Sequence, residues 1–298
     1  LPLFTILIVV LLVWLSYKQI ARIFKWLTIV LFSYVLAAFL AHPRWRDVLK
    51  ATVIPQLRLD AAYVATVLGV LGTTISPYLF FWQAAQEVEE ERALGRRTIR
   101  ARLGATDAEL RAMRTDVLTG MAFAGVVMYF IIVTTGATLY ATGQRDIETA
   151  RQAAEALRPL AGPGAYWLFT LGLIGTGMLG VPVLAGSAAY AVAEAMHWRG
   201  SLEDRPRRAP KFYAVLAVAV LLGLVLNYLK LNAVRMLFWA AVLNGMLAPP
   251  LIILVTLLSS DRSVMGARVN PFILTILGWL TAAVMLAATV MMFVTWGR

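Results

Sequence analysis

Four residues in the stretch GTTISPYLFFWQAAQEVEEE, Gly72 to Glu91, have no use in a helix that only fills a bilayer: Thr73, Thr74, Ser76 and Pro77. Pro77 lacks a backbone N–H, and its ring clashes with the carbonyl four residues back, on Thr73. A carbonyl freed in this way is tolerated at membrane depth only where it faces protein or a water-filled cavity. Interrupted helices of this kind form ion sites near the bilayer midplane. The plainer alternative is a proline kink whose freed carbonyl is satisfied by the Thr74 hydroxyl. Residue chemistry alone leaves both open.

Other polar residues in apolar surroundings are weighed singly. Asn244, in VLNGMLAPP beside Gly245 and ahead of an expected break at Pro249-Pro250, suits a ligand, a gate or an interhelical hydrogen bond. Thr134, Thr135 and Thr138 are expected to bond back to their own helix. Asn227, near a helix end, reads as structural, and Glu194, close to the interface by His197, reads as solvated. Gly172, Gly175, Gly177 and Gly180 permit close helix packing. The chain has no cysteine and two histidines, His42 and His197, which flank different helices. Disulfides and thiolate sites are thereby excluded, and a histidine-based catalytic or zinc constellation is not expected. No nucleophile–base pair, phosphate loop or carboxylate dyad lies in the apolar spans, so no enzymatic activity is expected.

The elements that must position these residues are membrane helices. The 298 residues are 60% hydrophobic and 14% charged, with mean hydropathy +0.76. An ordinary soluble domain carries about a quarter charged residues. Spans are expected at 1–16, 24–41, 61–86, 117–141, 166–195, 212–229, 234–258 and 271–296, the first shorter than a full crossing. The net charge of +11 does not point to nucleic acid, because nearly all Lys and Arg lie in loops. Loops taken alternately hold seventeen of the 27 basic residues on one side and ten on the other. The richer side is read as cytoplasmic, which places both chain ends outside. The sequence starts on Leu1-Pro2-Leu3 without initiator methionine, charged n-region or cleavage site, so it is expected to continue a longer protein. Two loops carry more than linker composition. DIETARQAAEALRPLAG is expected to hold a short amphipathic helix outside the membrane, and EVEEERALGRRTIRARLGATDAELRAMR a helical hairpin or solvated segment.

GTTISPYLFFWQ resembles the sixth transmembrane helix of the Nramp family of divalent-metal transporters, whose usual pattern there is G-A-T-V-M-P-H. Three further stretches match in order: AEALRPLAGPGAYWLFTLGLIGTG, from Ala154 to Gly177; AGSAAY in the same helix; and DRSVMGARVNPFILTILGW, from Asp261 to Trp279, similar to the family's M-G-x-x-x-N-P link. Together these cover most of residues 60–290. The resemblance implies an all-α integral membrane protein with a LeuT-like fold of two inverted repeats, in which this chain supplies about eight helices, the family's fourth to eleventh. Residues 1–60 would end the first repeat, 61–260 form the second, and 261–298 form the final helix, all within one transmembrane domain. The family's first helix carries an Asp-Pro-Gly-Asn break whose aspartate and asparagine bind metal, and no such motif occurs here. The chain is therefore expected to lack helices one to three, an odd number, in agreement with the charge count.

Position by position, the family methionine falls on Ser76, its proline on Pro77, its histidine on Tyr78 and a second histidine on Gln83. A thioether favours softer metals, whereas a serine offers only hard oxygen. The resemblance is accordingly nearest the Nramp-related branch that carries magnesium and manganese, with iron a further candidate. It implies that Thr73, Ser76 and Asn244 contact the transported Mg²⁺ or Mn²⁺, and that Thr74, Pro77, Tyr78 and Gln83 form the helix break and ion path. Neither Tyr78 nor Gln83 titrates near neutral pH, so uniport is expected in place of proton symport. No cofactor is expected; the partners are the lipid bilayer, divalent cations and the missing helices, in a multi-pass protein of the cell inner (plasma) membrane. Two other readings compete: a transporter of the same fold for an organic solute such as an amino acid, and a non-transporting fragment.

Overall fold

A computed structural model describes residues 5–8, 10, 17–54, 56, 58, 60–98, 100–143, 147–202, 204, 206–229 and 231–296. The expected first span, 1–16, lies largely outside these residues. The described elements are helical: α1 (Tyr17–Val30), α2 (Phe32–Leu40), α3 (Trp45–Val53), α4 (Ala61–Thr74), α5 (Pro77–Ala93), a 3₁₀ turn (Arg100–Arg102), α6 (Asp107–Thr135) running into a π turn (Gly136–Tyr140), α7 (Ala150–Ala195), α8 (Pro210–Tyr228), α9 (Ala233–Ser260), the short α10 (Arg262–Met265) and α11 (Phe272–Trp296).

Helix starts follow local chemistry. Asp60 caps α4 through the Tyr63 N–H at 2.9 Å. Thr106 with Glu109, and Thr149 with Gln152, form reciprocal capping boxes at α6 and α7. Pro210 opens α8 at a position where no donor is needed. The amphipathic helix expected around 147–157 is the first part of α7. Gly162, at φ +79°, separates it from the membrane part.

The chain divides into two compact units, Leu1–Val53 with Phe81–Asn232, and Ile54–Phe80 with Ala233–Arg298. In the first, α2 packs on α7. The Tyr34 ring lies where a side chain at Gly172 would sit, with a Cβ only 2.6 Å from it, and its hydroxyl lies 3.3 Å from Thr176 Oγ1. Gly175 is likewise packed, against Val30, whereas Gly180 faces open space. Helices α7 and α8 share the core around Ala189, Tyr190, Ala193, Phe212 and Leu216. The charged segment after α5 is a hairpin: Arg96 bridges Glu91 and Glu109, each at 2.8 Å, and these carboxylates hold its guanidinium above the usual range.

In the second unit, α9 packs against both α4 and α11. A Cβ at Gly72 would lie 2.1 Å from the Ala241 carbonyl oxygen and 2.4 Å from the Gly245 nitrogen. One at Gly245 would lie 2.6 Å from the Leu68 oxygen. The two backbones thus touch, and only glycine fits. The break expected at Pro249-Pro250 does not occur, because α9 stays helical through both prolines. Ala248 and Ile252 are clasped there by Ala282 and Met285 of α11, and this packing overrides the local preference. The α9–α11 link explains its own motif. Asn270 donates through its backbone to the Ser259 carbonyl at 2.9 Å and through its amide to Ser259 Oγ at 2.8 Å, and Gly266 turns at φ +59°.

Candidate functional site

Between α4 and α5 the helix is interrupted, as Pro77 requires. Ile75 leaves helical geometry at φ −111°, ψ 72°, and Pro77 starts the next helix. The Ile75 N–H still reaches the Leu71 carbonyl at 2.8 Å, and the Leu79 N–H turns back to Ser76 O at 3.0 Å. The carbonyls of Gly72 and Thr73 receive a side chain instead: Ser76 Oγ donates to Thr73 O at 2.8 Å and lies 3.1 Å from Gly72 O. The freed carbonyl is thus covered by Ser76, not by Thr74 as the kink reading had it. Both threonine hydroxyls donate at 2.8 Å to Val70 O, one turn earlier.

Ser76 is 3% exposed, so it faces protein. A hydroxyl has one proton and two lone pairs. With the proton directed at the backbone, Ser76 turns lone pairs towards anything that approaches from the other side. It is an oriented oxygen acceptor.

Asn244 lies next to Gly245, at the α4–α9 contact, and Ser76 lies four residues after Gly72 at the same contact. Each is within about one helical turn of the crossing. Asn244 is half-buried. Thr73 is exposed, so only its carbonyl points into the break. Tyr78 is half-buried. Gln83 belongs to the other unit; it is exposed and its amide donates to Glu87 at 2.8 Å. Among the described residues no group of three or more His, Asp or Glu could hold a metal ion; the Ser76 hydroxyl, the Thr73 carbonyl and the Asn244 amide are neutral oxygen donors.

Two features were missed by sequence reasoning. The Gly72–Gly245 contact needed a partner helix that spacing cannot name. Glu89, counted within a wet charge run, is 3% exposed, and Gln86 one turn before it is 5% exposed. Their three-residue spacing, on one helix face, was the available signal.

The architecture is that of a multi-pass membrane protein, since among the described residues seven helical segments are long and apolar enough to cross a bilayer. The sequence pattern of the Nramp family, described as natural resistance-associated macrophage protein-like, matches residues 1–295, and the chain belongs to that family. It is similar to the divalent metal cation transporter MntH of Clostridium acetobutylicum, with 24% identity over 264 residues, 87% of this chain and 56% of the relative. MntH of Verminephrobacter eiseniae is 28% identical over 265 residues, 86% of this chain and 54% of the relative. MntH of Deinococcus radiodurans is 24% identical over 266 residues, again 86% and 54%. The chain spans about half the length of the curated relatives it matches.

Proposed function

We propose that this chain is part of a divalent-cation transporter, built as LeuT-like inverted repeats and preceded by three further helices that complete the path. The observation that carries the reading is the Ser76 hydroxyl, whose proton is directed at the Gly72 and Thr73 carbonyls. An organic carboxylate needs donors at the break, whereas this hydroxyl presents lone pairs. The cation contacts are Ser76 Oγ, the second lone pair of the Thr73 carbonyl, which Ser76 leaves open, and the Asn244 amide oxygen. Thr74, Pro77, Tyr78 and Gln83 form the helix break and ion path in this reading.

These are hard, neutral oxygens, which suit Mg²⁺ or Mn²⁺ that keeps several waters. The anionic ligand comes from the preceding helices. Because neither Tyr78 nor Gln83 supplies the imidazole that the family pattern carries at these positions, transport is uniport. The test is the full-length protein in liposomes loaded with a metal indicator and a pH dye. Uptake of Mn²⁺ and Mg²⁺ without acidification is the expected result. Metal-dependent acidification absent from empty liposomes removes uniport, and uptake of neither metal removes the transport reading.

A further inference from the structure

The acidic end of α5 is not uniformly wet. Glu90 is exposed and Glu91 pairs with Arg96, but Glu89 is buried at 3% exposure. One of its carboxylate oxygens accepts the Tyr190 hydroxyl of α7 and, at 3.1 Å, the backbone N–H of Leu202 in the α7–α8 connection. That same N–H lies 3.1 Å from Tyr190 Oη, so the three groups close a triangle. The connection is held from its far side as well. Tyr213 of α8 donates to the carbonyls of Asp204 at 2.9 Å and Leu202 at 3.4 Å. Gly200 has no room for a side chain, since a Cβ there would lie 2.8 Å from both Ala193 and the Phe212 ring. Beside this triangle the Gln86 side chain is buried at 5% exposure and faces Tyr190.

Burying a carboxylate is costly, and an ordinary helix-to-loop contact does not need one. Here it sits on the second half of an interrupted helix. With the ladder cut at Ile75 and Ser76, the grip on its far end is one of the contacts that hold α5.

Resting on the proposed transport function, we propose that Glu89 is a positioning residue: its carboxylate clasps the half-helix α5 to Tyr190 and Leu202, and release of this clasp accompanies release of the cation on the charge-rich side. The structure also joins, through this clasp, two loops that the charge count assigns to one side of the membrane.

These 298 residues contain no cysteine, and the test starts from a full-length protein in which any cysteine outside them is replaced by serine. Gln86→Cys in the full-length protein introduces a single buried thiol, and its rate of modification by a polar maleimide is read with and without Tyr190→Phe, which removes one hydrogen bond and keeps the ring. The expected result is at least fivefold faster modification. In the protein without the added cysteine, Tyr190→Phe changes maximal Mn²⁺ uptake at least threefold and leaves apparent KM within twofold. Glu89→Gln, which keeps the shape and loses the charge, shifts both readouts in the same direction and guards against misfolding of the first variant. Unchanged thiol rate in both variants overturns the clasp, as does an uptake change that falls on KM alone or a loss of thermal stability with uptake unaltered. If the parent carries neither metal, the transport role falls with the proposed function, while the thiol rates still judge the clasp.

Discussion

Two membrane stretches of this chain are rich in hydroxyl groups, and they use them differently. In α6, Thr134 and Thr135 donate to carbonyls four residues back at 2.8 and 2.9 Å, and Thr138 does so from the π turn at 2.6 Å. There the backbone remains helical, and the hydroxyls add to bonds the ladder already makes. Around Pro77 the ladder is cut, and the Ser76 hydroxyl is the donor that two carbonyls receive. The composition is similar. Proline turns a redundant hydroxyl into an indispensable one, and fixes which way its lone pairs face.

The contact that holds the break in place gives the largest expected effect. Gly72→Val puts a branched side chain where even a Cβ is 2.1 Å from the Ala241 oxygen, so α4 and α9 must separate. Overpacking of this kind costs ~3 kcal/mol or more when backbone is the obstacle. The variant is expected to lose monodisperse protein in detergent gel filtration. Gly180→Ala, on a glycine that faces open space, is its control and is expected to behave as the parent.

Pro77→Ala makes the break resemble α6. A restored N–H at position 77 competes with Ser76 for the Thr73 carbonyl, and the helix is expected to heal across Ile75 and Ser76. Mn²⁺ uptake should drop at least tenfold with fold retained, and amide exchange at residues 75–77 should slow. Unchanged uptake with slowed exchange would show that the interruption is dispensable.

How far the sequence carried is visible in these same residues. The interruption was legible because a proline acts on its own backbone, within four positions. The identity of the hydroxyl that fills the gap was not, because it depends on the torsions of Ile75, which are set by how the two half-helices are held. The same limit applied at Pro249-Pro250, where α11 supplies the packing that keeps α9 helical. Glu89 lies 101 residues from Tyr190 and 113 from Leu202, and no local period reports a partner that distant. The threonine bonds of α6 were read correctly since each is closed within one turn. The helical, membrane-spanning class was legible from composition alone.

Selectivity sharpens the comparison at the break itself. Ser76→Met replaces an oriented hard oxygen with a soft sulfur and adds bulk where the proposed function seats a hydrated ion. Magnesium uptake is expected to fall about tenfold and manganese uptake by less than half that factor. Equal loss of both, or a shift towards magnesium, would remove Ser76 from the ion path.

The smallest effect is the one that isolates the argument. Thr134→Val is nearly isosteric at a site 1% exposed, and it removes a hydroxyl whose acceptor, Phe130 O, lies within a helical stretch. Such a bond is expected to contribute under ~1 kcal/mol, and the Phe130 carbonyl keeps its place in the ladder when the hydroxyl goes. Ser76→Ala deletes a hydroxyl of the same kind, but it strands two carbonyls of a cut ladder, and leaving such groups unsatisfied costs about 1–3 kcal/mol. Thermal unfolding of the two variants side by side should therefore place Thr134→Val near the parent and Ser76→Ala clearly below it. Equal midpoints would mean that the carbonyls at the break find another donor, and that the lone pairs of Ser76 are not held in the direction on which the cation reading depends.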